Sequence, residues 1–434
     1  GFDIWSMDVA RFGGWADMTY TNAKVRENYS RRFSITYPNE ELPAARPVRI
    51  SPLYEKLKAR NAVFGAAYGL EHALWFAPEG EEPLETPTFK RSNAFDTVRD
   101  ECNAVRNGVG MIEISTFAKY EVTGSEAEAW ISRILSNRMP RTGRIVLSPM
   151  LNPDGKLIGD FTVAKLADEQ FYVFGSGIAE DYHMRWFEAH LPETGVSIRS
   201  RGLELTGLSI AGPKARDLLA KVTDADVSKQ AMPFMSIKKM NLGSVSAMVG
   251  RITFTGDLGY EIWVEAGYLE DLFKMLMEAG EKFGLRLFGG RALNSLRLEK
   301  SFGSWATEFR PIYGAFEVGL DRFIDLSKND FIGREAAAKE HAHGPLRRLV
   351  TFEVEVDTAD VVGDEPVWLG DVVVGWVTSG GYSHYVGKSV ALGYINAESL
   401  VTKDGFAIEI LGVKRPARLH LEPLFDPQGE RMRS

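Results

Sequence analysis

From Arg347 onward the chain offers almost nothing but strands. RRLVTFEVEV, DVVVGWVTSG, SVALGYI and AIEILGVKRPARLHLEP follow one another with little helix-forming sequence between them. Short runs of β-branched and aromatic residues, broken by glycine, bury themselves against other strands, as a sandwich or a small barrel. Residues 346–434 are therefore expected to form a separate β-rich barrel domain. The chain has 434 residues, and domains run to about 100–200 residues each. The remaining length needs a further core of its own.

Ahead of the barrel, helices and strands alternate irregularly. That points to an α+β arrangement of antiparallel sheets and helices over 51–345. Ser125 precedes Ala127, Trp130, Ile131, Ile134 and Leu135 on one helical face, with Glu128 placed as in a capping box. Pro213 suits the first turn of a helix over 213–221. Leu269, Leu272, Phe273 and Leu276 stripe a helix over 268–282. Segments 119–122, 170–174 and 260–264 read as strands. Residues 1–50 show little periodicity and end among Pro38, Pro43 and Pro47, which suits a connecting arm. Gly1 stands where a start methionine would, and no leader peptide follows, so the chain reads as a piece of a longer protein.

Hydrophobic residues make up 44% of the chain and charged residues 25%, ordinary for a protein with a real core. A net charge of −8 and the lack of a basic block argue against nucleic acid. No run of about 18 apolar residues occurs, so no membrane span is expected. The single cysteine, Cys102, suits a reducing compartment: the cytoplasm, or the mitochondrial matrix in a eukaryote. It has no histidine nearby in sequence and reads as a packed or surface thiol. His341 and His343 share a charged loop, without the spacing of a metal motif, so no metal is expected. Neither a dinucleotide fingerprint nor a phosphate loop is present.

What remains is a set of carboxylates and arginines beside glycine turns. In RITFTGDLGYEIWV, Thr255-Gly256-Asp257 reads as a turn. Glu261 then falls on the strand face opposite Tyr260, Ile262 and Val264. A carboxylate there needs a partner: the planar donor pair of a pterin, or an arginine of the protein itself. The chemistry leaves these alternatives open. In MLNPDGKLIGDFTVAKL a Pro-Asp-Gly turn joins two strands, with Asp160 early in the second. Asp160 could serve as a base or stabilise a cation; the plainer role, binding backbone N–H groups, is the stronger one from the residues alone. In GGRALNSLRLEKSFGSW, Arg297 lies six residues after Arg291, about 240° round a helix. One ligand cannot easily meet both, so one arginine is expected to be structural, with Glu299 a plausible partner in its network.

Together these segments resemble the aminomethyltransferase (T-protein) family of the glycine cleavage system, over roughly residues 51–425. PMLNPDGKLIGDFTV, FTGDLGYEIWV and GRALNSLRLEKSFGSW carry the likeness, with FIGREAAAK, VGWVTSGGYSHYVGKSVALGYI and LEPLFDP beyond them. DVARFGGWAD, ENYSRRFSITYPNEELPAARPVR and FKRSNAF resemble the junction in dimethylglycine and sarcosine dehydrogenase-like flavoenzymes, between their flavin half and their folate half.

The resemblance implies a T-protein-like multi-domain fold and tetrahydrofolate as one-carbon acceptor, with FAD only on a flavin half absent from this chain. It implies Glu261 for the pterin ring, Asp160 at the reacting nitrogens, and Arg291 for the folate. Trp75, Phe174, Phe254 and Tyr382 are the aromatics to test as walls for its rings. The partners implied are folate, a one-carbon donor and a flavin domain or subunit. The alternatives are a stand-alone folate-dependent aminomethyltransferase or demethylase, and a folate-binding module without catalysis.

Overall fold

The computed structural model describes residues 7–434; the first six residues of the arm lie outside the described ones. Two larger, mainly antiparallel sheets, a two-stranded sheet pairing Ala62–Ala67 with Leu70–Phe76, and a closed barrel organise the described residues. The first sheet has six strands in the order Ile237–Leu242, Val245–Gly250, Gly259–Glu265, Leu205–Ala211, Gly110–Glu113 and Arg286–Leu287, the last pair parallel. The second has five, in the order Arg144–Leu151, Leu157–Ala167, Gln170–Gly175, Ala118–Thr123 and Ser197–Ser200. The barrel runs through six antiparallel strands and closes by pairing Arg347–Val354 with Val413–His420. Its interior holds Val350, Phe352, Val367, Ala391, Ile395, Ile408 and Leu419, the apolar half of the alternation in the C-terminal runs.

Each larger sheet buries one face under helices. Tyr260, Ile262 and Val264 pack with Leu269, Leu272, Phe273 and Leu276 of the helix Leu269–Gly280. Phe161, Val163, Phe171 and Val173 pack under Trp130, Ile131 and Phe187, from the helices Ala127–Ile134 and Glu180–Ala189. The opposite faces meet each other. Ile145, Ala164, Tyr172 and Phe174 of the second sheet join Ile237, Met248 and Trp263 of the first. Asp160 and Glu261 fall on these facing sides by strand alternation.

Several local expectations need correction. The helix Ala127–Ile134 has Glu126 at its N-cap and no side-chain cap, so Ser125 and Glu128 form no capping box; Glu128 instead pairs with Lys165 at 2.8 Å. The helix Ala215–Leu219 starts after Lys214, which leaves Pro213 outside its first turn. The arm carries a 13-residue helix, Met18–Ser30, capped by Asp17 accepting from the Tyr20 N–H at 2.8 Å. None of its residues is buried, so no apolar stripe marks it.

Candidate functional site between the sheets

Strand pairing sets Glu261 opposite Gly250 on one side and Ser209 on the other. Both neighbours are small, so neither flanking strand lays a long side chain beside the carboxylate. Trp263, two residues on, shares its face. Its indole stacks on Phe174 of the second sheet, with centroids 4.8 Å apart and planes 22° apart. Phe174 pairs with Thr162, and Asp160 is the next residue along that same face. Asp160 pairs with Pro149 across the hairpin. The hairpin turn is built as its sequence requires: Gly155 takes φ +74°, and Asn152 accepts from the Lys156 N–H at 2.8 Å.

Both acids retain some accessible surface while protein surrounds them. Burial pushes Asp160 up to about 7 and Glu261 up to about 8. For Asp160 the one opposing influence is its own backbone N–H; for Glu261 there is none. Among the described residues neither acid has a salt bridge or a hydrogen bond to another side chain. The basic groups flanking Glu261 in sequence and fold are committed elsewhere. Arg251 donates to the Met232 carbonyl at 2.7 Å, and Arg201 binds Glu265 at 2.8 Å. An internal Arg–Glu pair therefore does not account for Glu261. Two carboxylates raised by burial, with no partner among the described residues, thus share one layer of the fold.

The other expected site residues divide. Phe174 lies in this layer, buried by its own stack on Trp263. Phe254 is half-buried in the loop that leads into the Glu261 strand, and it stacks on Phe302 with centroids 5.7 Å apart. Trp75 is 0% exposed, packed among Val98, Cys102, Ala292 and Leu296. With both ring faces in the core it cannot wall a ligand, and that expectation is corrected. Arg291 and Tyr382 line a different cleft of about 830 Å³, between the arm, the helix Gly290–Glu299 and the barrel; neither Asp160 nor Glu261 lines it. Arg291 there binds Glu85 at 3.2 Å and the Asn39 carbonyl at 3.1 Å. Tyr382 lies under the Arg91 guanidinium, 4.3 Å from its ring centre. Arg297 is a buried structural residue paired with Glu308 at 3.0 Å, and Glu299 pairs with Arg106.

Burial raises the Cys102 thiol well above its ordinary range, so it is no ready nucleophile. Among the described residues no group of His, Cys, Asp and Glu could hold a metal ion. No described helix is long and apolar enough to cross a membrane. Sequence reasoning missed Ser209 and Gly250, the small residues that flank Glu261, because only strand register brings them to it.

Residues 53–328 match the GCVT N-terminal domain, and residues 347–426 match the glycine cleavage T-protein C-terminal barrel domain. The chain belongs to the glycine cleavage T-protein family. Residues 1–51 of this T-protein-family chain also match the FAD dependent oxidoreductase central domain. Mouse (Mus musculus) mitochondrial dimethylglycine dehydrogenase is 34% identical over 98% of this chain and 49% of its own length. The formaldehyde-forming 4-methylaminobutanoate oxidase of Paenarthrobacter nicotinovorans is 30% identical over 100% of this chain and 53% of its own. The chain thus spans about half the length of these relatives. The solved glycine cleavage system aminomethyltransferase T of Bartonella henselae shares the fold. Its TM-score is 0.76 at 21% identity, over 87% of this chain and 98% of that one.

Proposed function

We propose that this chain binds tetrahydrofolate as the one-carbon acceptor of an N-methyl amine dehydrogenase or oxidase of the dimethylglycine or sarcosine type, forming 5,10-methylenetetrahydrofolate. The observation that carries this reading is Glu261, a partly exposed but desolvated carboxylate with no partner among the described residues. One edge of a pterin presents a ring N–H and an amino group side by side. Two carboxylate oxygens accept that pair together. Tetrahydrofolate would supply the amine nitrogens that take up the carbon.

Glu261 holds and orients the ring, and the donor pair stabilises its ionised form against burial. Asp160 titrates close to neutrality, so it can take a proton from an attacking amine or carry charge beside a cationic carbon. Holding both reactants side by side would replace a bimolecular encounter, an effect worth up to about 7–11 kcal/mol in well-oriented cases. Amine oxidation is assigned to FAD on a domain or subunit outside this chain. The match of residues 1–51 and the names of the relatives support that assignment; one relative is named sarcosine oxidase subunit alpha.

Calorimetric titration with tetrahydrofolate tests the reading. The native chain is expected to bind, and Glu261→Ala to bind at least tenfold more weakly. Absence of binding by the native chain overturns the proposal. Turnover of an N-methyl donor without any flavin would favour a stand-alone aminomethyltransferase or demethylase instead.

A further inference from the structure

Lys119 is a buried charged group in the same layer that the chemistry above leaves unused. It sits on the strand Ala118–Thr123 directly opposite Phe174. Its ammonium nitrogen lies 5.9 Å from the ring centre of Trp263. The residue is 1% exposed. Its nitrogen donates one hydrogen bond, to the Ser115 carbonyl at 2.7 Å, and among the described residues it has no carboxylate within ion-pair distance. The charges that reach it are more distant: Glu113, Glu180 and Arg49. An ammonium has three protons to satisfy, and here one acceptor meets them. Burial accordingly lowers Lys119 to about 8, where a neutral amine with a free lone pair becomes well populated. A single tie to a backbone carbonyl does not require a buried cation.

Lys119 also lines a cavity of about 180 Å³, together with Ser115, Thr116, Phe117, Ser176 and Glu180. That volume exceeds the roughly 30 Å³ that one water occupies in the liquid several times over. The wall at Phe117 touches the Trp263 indole edge-on, with centroids 6.2 Å apart. Neither Glu261 nor Asp160 lines this cavity; it meets their layer through the Phe117–Trp263 contact. Activation of a lysine by burial is a general route to carbonyl addition.

We propose that Lys119 captures the one-carbon unit as a small aldehyde, formaldehyde being the simplest, before the acceptor held at Glu261 takes it. The inference rests on the one-carbon reading above. The neutral amine attacks the aldehyde carbon, a C–N bond forms, and the carbonyl π pair moves to oxygen, which gains a proton. Loss of water gives a protonated imine on Lys119. Two amine nitrogens of the acceptor then form C–N bonds to that carbon as the bond to Lys119 breaks; one of their protons passes to the departing Lys119 nitrogen, which leaves as the free amine, and the other is released to solvent. The sum is one aldehyde and two N–H groups giving N–CH2–N and water, with no change of oxidation state.

Reductive trapping on the full chain tests this. The protein is treated at pH 8 with less than one equivalent of 13C-formaldehyde and cyanoborohydride, and labelled lysines are mapped by peptide mass spectrometry. Lys274, whose side chain is 76% exposed, serves as internal reference. Labelling of Lys119 at least tenfold faster than Lys274 is expected. A merely structural lysine, 1% exposed, would react more slowly than the reference, and that result overturns the proposal. In Lys119→Met, protein-accelerated product formation is expected to fall at least tenfold while the Kd for tetrahydrofolate stays within twofold. An unchanged rate also overturns it. Trapping on the native chain keeps the test decisive if that variant fails to fold. Tetrahydrofolate binding is measured separately, so failure of the folate reading and failure of capture at Lys119 are told apart.

Discussion

At the scale of single residues, the unpaired acids make the sharpest predictions. Glu261 has a folded pKa of about 8, against about 4.3 in an unfolded chain. The sign follows from linkage. Its contribution to stability is full below the unfolded value and is lost as pH rises through the folded one. Glu261→Gln removes that dependence. Denaturant unfolding at pH 5 and pH 8 is expected to show the variant gaining on the native chain by about 1–2 kcal/mol, since solvent contact at the partly exposed carboxylate screens part of the full shift. The same proton competes with a ring donor pair for the carboxylate. Tetrahydrofolate binding is therefore expected to weaken between pH 8.5 and 6.5, and to release up to about one proton per ligand when measured calorimetrically in buffers of different ionisation enthalpy. Asp160→Asn is expected to leave the Kd nearly unchanged while product formation falls about 10²–10⁴-fold and the pH limb near 7 disappears. An unaltered rate would remove Asp160 from the chemistry.

At the scale of elements, the layer between the sheets depends on one aromatic stack. Trp263→Ala opens a cavity against Phe174, expected to cost about 3–5 kcal/mol and to weaken folate binding through the displaced Glu261 strand. Chemical denaturation and titration of the same variant check both halves. Stability loss without any change in binding would mean that the strand holds its place unaided. This is also the scale at which legibility ends. The hairpin around Asp160 and the alternation around Glu261 are plain in the sequence, because turn chemistry and period-two burial are local. The partners are not. Trp75 reads like any aromatic on a strand until Ala292 and Leu296 close over it. Arg291 looks free until Glu85, 206 residues away in sequence, binds it. Lys119 gave no signal beyond opening a strand, since its interest comes from what the second sheet sets against the first. The helix Met18–Ser30 was invisible for the opposite reason: with no buried residue, its sequence has no face to declare.

At the scale of the molecule, the barrel is tied to the body through buried charge. Glu308 is 0% exposed and accepts from Arg297 at 3.0 Å and from Thr307 at 2.7 Å. It also accepts from Thr378, at 2.7 Å, and Ser379, both on the barrel strand Val372–Ser383. Arg297 comes from the helix Gly290–Glu299, so one carboxylate joins the helix to the barrel. The surrounding donors hold its carboxyl below the usual range in spite of burial, with Arg297 the largest of them. Glu308→Ala strands the Arg297 guanidinium in the interior, and breaking such a pair costs about 3–5 kcal/mol. That loss falls on the junction, while the barrel core around Phe352 and the body core around Tyr260 stay packed. Scanning calorimetry is therefore expected to show the barrel melting ahead of the body in Glu308→Ala, where the native chain unfolds in one transition. Replacing both partners, Arg297→Met with Glu308→Leu, removes the stranded charge and is expected to restore much of the lost stability but not the hydroxyl contacts to Thr378 and Ser379. If Glu308→Ala unfolds in one transition at the native temperature, the carboxylate is not what couples the barrel to the body.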